Sequence, residues 1–126
     1  MSATTIGTIL AGLIGAAIVV VGARFLLAPR VAAAGYGVQP DLSQPSTGAY
    51  LSVKGIRDIA SGLFLFILIA AGAHQLLGWL ILAATIIPIA DAVIVLSNGG
   101  ARLIALGIHG GTAVVMLITA ALLLFT

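Results

Sequence analysis

The chain has no cysteine and no glutamate, and only three aspartates and five basic residues in 126 positions. Without cysteine there is no disulfide, iron–sulfur cluster or thiolate zinc site. A soluble domain is roughly a quarter charged and about half apolar. Here 62% of residues are hydrophobic and 6% are charged, too little polar surface to coat a globule in water. A soluble globular domain is therefore excluded, as is a disordered chain, which needs low hydrophobicity. Nucleic acid is not an expected partner. The net charge is only +2, with no basic cluster to neutralise phosphates. The expected class is an integral membrane protein.

A spanning helix needs about 20 predominantly apolar residues. Four stretches qualify on this reading: 6–27, 51–73, 75–96 and 101–125. Unpaired strand edges are costly in hydrocarbon, and four segments without period-two alternation cannot close a barrel. The expected fold is all-α, a single polytopic domain over 1–126 with four transmembrane helices in an antiparallel bundle. The first run is longer than a signal-peptide core and lacks a positive start, so it reads as a retained helix. Helices 2 and 3 meet near His74–Gln75 as a tight hairpin, and Ser97-Asn98-Gly99-Gly100 is a strong turn signal. Residues 28–50, with Pro29, Pro40 and Pro45, read as a long loop, either a lid or a connector.

This topology gathers every charged side chain, and His109, at or near one end. Only His74 belongs to the other. The positive-inside rule then makes the charged end cytoplasmic and places both termini outside.

Helix 2 opens with Lys54-Gly55-Ile56-Arg57-Asp58, with Ser61 a turn further on. These ionisable residues recur at spacings of three and four, so they share a face. Charges inside a span are expensive and mark functional sites by default; snorkelling of Lys54 and Arg57 is the plainer explanation. Asp91 lies roughly 9 Å, and His109 roughly 10 Å, below the same membrane face at 1.5 Å per residue. Asp58 is expected at a similar depth. Two carboxylates in unlike surroundings, one of them ionised by Arg57, suit general acid–base work, with His109 relaying a proton. A structural hydrogen-bonded pair between Asp91 and His109 is the alternative. The candidate catalytic residues are thus Asp58, Asp91, His109, Arg57 and Lys54, with Tyr36, Tyr50, Ser61 and Thr85 as candidate substrate contacts. Pro88 removes a backbone bond near Ala84 and kinks helix 3, so a freed carbonyl beside Thr85 either lines a cavity or marks an ordinary membrane proline. No metal-ligand spacing or phosphate loop is present, so neither a metal nor a cofactor is expected.

Ala3, Gly7, Ala11, Gly15 and Gly22 in helix 1, and Gly107 with Gly111 in helix 4, form small-residue stripes. Such stripes let helices approach closely, within one chain or across a homodimer.

Taken together, Pro29-Arg30, Gly35-Tyr36-Gly37, Lys54-Gly55-Ile56-Arg57-Asp58, Asp91, Gly99-Gly100 and His109-Gly110 resemble the domain of unknown function 4267 family over nearly the whole chain. The resemblance implies a small four-helix integral membrane protein, in the inner membrane if bacterial, and no settled activity. In architecture alone the chain also looks distantly like the sterol-isomerase-like group and the integral membrane terpene cyclases, which protonate an alkene or epoxide in a membrane pocket. The expected function is a cofactor-independent isomerase, cyclase or epoxide hydrolase acting on a lipophilic small molecule. A small oligomeric proton-linked transporter and a structural subunit are the alternatives.

Overall fold

A computed structural model describes all 126 residues and contains helices and no strands. Helix α1 spans Ala3–Leu27, α2 Pro29–Tyr36, α3 Pro45–Ala70, α4 His74–Ala84 and α5 Ile86–Ser97; a π-helical segment, Leu103–Gly110, leads into α6, Gly111–Leu124. Three rods are long and apolar enough to cross a membrane: α1, the continuous α4–α5 stretch, and the π segment with α6. This corrects the expectation of four. Helix α3 has the length, but Lys54, Arg57 and Asp58 interrupt its apolar run. It packs mainly against α1. The outward faces of the rods are covered with exposed Ile, Leu and Val, as lipid contact requires.

The expected loop 28–50 is mostly helix. Pro29 and Pro45 each begin a helix, where a missing N–H costs nothing and the fixed φ is already helical. Ala32, Ala33 and Ala34 favour continuation of α2, and Gly37 ends it with φ 104°, a conformation that penalises a Cβ. Only residues 37–44 remain as a connection. Gly72 and Gly99 turn the chain with φ of 65° and 75°. Between α4 and α5 the helix is broken at Thr85, one residue past the Ala84 carbonyl that Pro88 cannot reach with an N–H. The Thr85 hydroxyl donates to the Ile81 carbonyl at 2.8 Å, a back-bond that often accompanies a bend.

The small-residue stripe of α1 is used within the chain. A Cβ built on Gly22 would lie 2.5 Å from the Gly55 carbonyl oxygen, and one on Gly62 would lie 2.6 Å from that of Gly15. These pairs set α1 antiparallel to α3 at backbone contact. Gly7 is covered by Leu122 and Leu123 of α6. The main core joins Ala11, Leu65, Leu77, Ile81, Met116, Ala120 and Leu123. A second core of Ala92, Val95 and Ala105 packs under Tyr36 and Val38 at the charged end. This smaller core anchors the end of α2, at Tyr36, to α5 and the π segment, while the body of the helix packs on α1 and α3.

Candidate functional site

The charged end brings together Lys54 and Asp58 from α3, Asp91 from α5, His109 from the π segment, Tyr36 from α2 and Phe25 from α1. Lys54 and Asp58 are one helical turn apart and form an ion pair, Nζ to Oδ2 at 2.7 Å. The same ammonium lies 4.5 Å from the Phe25 ring centroid and 4.9 Å from that of Tyr36. Both are within cation–π range. The Tyr36 ring meets the Phe25 ring edge-on at 6.2 Å and the His109 ring at 4.6 Å.

His109 is held from the far side. Its Nε2 lies 2.9 Å from the Tyr36 carbonyl oxygen. A carbonyl only accepts, so Nε2 carries the hydrogen and donates it. In the neutral ring this leaves a lone pair on Nδ1, which faces Asp91 Oδ2 at 3.9 Å. The separation is too long for a direct hydrogen bond. Two acceptors opposed in this way are reconciled by one further proton, on the imidazole or the carboxyl, or by a donor group placed between them. Both side chains are largely shielded, at 9% and 22% exposure for His109 and Asp91, so solvent screens their interaction weakly. His109 occupies the last turn of a π-helical segment, a rare geometry that recurs at functional positions. Tyr36 belongs to the short α2, outside the spanning rods. Burial, and then the Asp91 carboxylate beside it, hold its phenol above the ordinary value, so it stays protonated as a donor.

The reading of equal depth for Asp91 and His109 on neighbouring antiparallel rods agrees with their 3.9 Å approach. The expected pairing of Arg57 does not. Arg57, expected to ionise one of the two carboxylates, is exposed and pairs with neither, because neighbours at i and i+1 diverge on a helix while i and i+4 meet. Lys54 takes that place. Of the four expected substrate contacts, only Tyr36 reaches the cluster. Tyr50 is 77% exposed. The hydroxyls of Ser61 and Thr85 donate to the carbonyls of Arg57 and Ile81, each at 2.8 Å. Phe25 was not singled out from the sequence: an aromatic near the end of a spanning run reads as an interface anchor, and nothing local marks it as a cation's partner. At the opposite end the Thr8 hydroxyl donates to the Thr4 carbonyl at 2.8 Å, which leaves His74 Nδ1 as donor to Thr8 Oγ1 at 3.3 Å. No group of three or more His, Cys, Asp or Glu is arranged to hold a metal ion.

The family model described as a domain of unknown function (DUF4267) matches residues 15–123, which include every member of the cluster. Neither the curated proteins nor the solved structures contain a match to the chain. The chain belongs to the DUF4267 family.

Proposed function

We propose that this member of the family is a membrane-embedded acid–base enzyme acting on a lipophilic small molecule, by isomerisation, cyclisation or epoxide opening. The observation that carries the reading is the Asp91–His109 pair. It is oriented by the Tyr36 carbonyl, with Nδ1 and Oδ2 facing each other at 3.9 Å and no hydrogen bond joining them. In this reading the pair supplies and recovers the proton, and the Tyr36 phenol donates a hydrogen bond to a developing oxyanion. Lys54 and Asp58 keep the field around the phenol positive on one side and negative on the other. Substrate enters from the bilayer, between the exposed apolar faces. The positive-inside rule puts this end on the cytoplasmic side.

The test uses purified protein in nanodiscs, a panel of lipophilic alkenes and epoxides, and deuterated buffer, with products read by mass spectrometry. Wild type should incorporate deuterium into, or open, at least one member of the panel, and Asp91→Asn should lose the activity while staying folded. Turnover unchanged in Asp91→Asn would sink the assignment of the pair.

One observation favours a second reading. The two main surface hollows are lined by Ser2, Thr4, Thr5, Thr8, Ile9 and His74, and by Ser52, Val53, Ile56 and Arg57, not by Asp91 or His109. A cluster without a large opening also suits a clasp that pins α2 to the rods. A clasp predicts that Asp91→Asn lowers stability and has no catalytic readout.

A further inference from the structure

Arg57 is the one charged residue of the 54–58 motif that the cluster leaves out. Lys54 is paired with Asp58, and Asp91 with His109, while Arg57 has no carboxylate partner in the chain. Its depth makes this costly. Gly55 packs on Gly22 in antiparallel register, so Arg57 is level with Val20, seven residues and about 10 Å inside the end of α1. An unpaired guanidinium at that level must reach up to the headgroup layer and find an anion.

The surroundings of Arg57 are those of a lipid. With Ser52, Val53 and Ile56 it lines a hollow on the outer face of α3. From Ile56 at the hollow, Leu63 and Ile67 follow at spacings of seven and four, one stripe of the helix, and the three are 57%, 50% and 63% exposed. The stripe runs eleven residues, about 16 Å. A polar donor pair, Ser52 and Arg57, therefore flanks the upper end of an apolar track. A free phosphate would use only the first; an acyl-chain phosphate uses both.

We propose that α3 carries a specific site for an anionic phospholipid. The Arg57 guanidinium takes the phosphate in two parallel N–H···O bonds, a match of planar fork to oxyanion. The Ser52 hydroxyl donates a further bond, and one acyl chain lies along Ile56, Leu63 and Ile67. The apolar stripe of the site, Ile56, Leu63 and Ile67, lies on the side of the helix opposite Lys54 and Asp58, and Arg57 stands at the edge between the two.

The experiment places the protein in nanodiscs of mixed phosphatidylglycerol and phosphatidylcholine and reads the retained lipid by native mass spectrometry. Wild type should hold phosphatidylglycerol preferentially. Arg57→Gln should lose that preference roughly fivefold, the equivalent of the ~1 kcal/mol that one basic residue contributes near an anionic surface. Leu63→Ser with Ile67→Ser should weaken retention with the charge untouched. Arg102→Gln, an exposed arginine elsewhere, should leave retention unchanged. Equal losses in Arg57→Gln and Arg102→Gln would reduce the effect to diffuse charge and overturn the site. So would displacement of the lipid by millimolar inorganic phosphate, or no lipid preference in wild type. Arg57, Leu63 and Ile67 are all at the surface, and unchanged circular dichroism melting of the variants keeps the result free of folding defects.

Discussion

Replacing Lys54 with Met is the sharpest test of how the charged end is held together. Methionine keeps the length and apolar stem of the side chain and removes the ammonium. That ammonium sits 2.7 Å from Asp58 Oδ2 and faces two aromatic rings. An exposed ion pair is worth about 0–1 kcal/mol, while breaking a buried one costs about 3–5 kcal/mol. With side-chain exposures of 32% and 17% the pair lies between these limits, and about 1–2 kcal/mol is a reasonable share. The two ring contacts add about 0.5–1 kcal/mol each when partly shielded. Lys54→Met should therefore cost about 2–4 kcal/mol. Much of that is the orphaned Asp58 carboxylate, so Lys54→Met with Asp58→Leu should recover at least ~1 kcal/mol of it. Reversible unfolding in mixed dodecylmaltoside and sodium dodecyl sulfate micelles, followed by circular dichroism, measures all corners of the cycle. A cost below ~0.5 kcal/mol for Lys54→Met, unchanged in the Asp58→Leu background, would mean that both groups are fully solvated and that the reasoning fails.

Gly22→Ala should destabilise by about 1–3 kcal/mol, since the new methyl meets the Gly55 backbone oxygen, whereas Gly111→Ala, with nothing within 4 Å, should be neutral or stabilising; the same micelle unfolding reads both, and equal effects would deny the close α1–α3 contact. His109→Ala removes the donor to the Tyr36 carbonyl, so hydrogen exchange of the α2 amides should quicken several-fold while α1 is unaffected. The Ser43 hydroxyl and amide both donate to the Asp41 carboxylate, at 2.6 Å and 3.0 Å, and hold its pKa below the ordinary value. Their support for the 37–44 connection is present above pH about 4 and fades as pH falls through the lowered value; Ser43→Ala should raise the NMR titration midpoint of Asp41, and an unmoved midpoint would contradict the hydroxyl's part in it.

Some of the charged end was legible before any coordinates. Depth along a helix is linear in residue number, so Asp91 and His109 could be set level from their distances to the 97–100 turn. The i and i+4 spacing of Lys54 and Asp58 already contained their ion pair, while Arg57, expected to ionise one of the carboxylates, pairs with neither. Prolines 29 and 45 misled in another way. Read as loop punctuation they stretch the connection over 28–50, yet at the first position of a helix proline is favourable, and only the surrounding chain tells the two apart. The fourth expected span failed on the very residues that make α3 interesting, since three charges in five positions break an apolar run.

Composition alone determined the solvent of this protein. With so few charges no packing arrangement could hide enough apolar surface from water, so a membrane was required whatever the fold. The helical state followed from the same scarcity, because a backbone in hydrocarbon must satisfy its own hydrogen bonds. Tertiary structure decided what sequence spacing could not. It chose Gly55 and Gly62 as the partners of Gly22 and Gly15, anchored the end of α2 to α5 and the π segment, and aimed the Tyr36 carbonyl at His109. Those choices depend on which helix faces meet, and a face is selected by contact between segments distant along the chain. No local period encodes it.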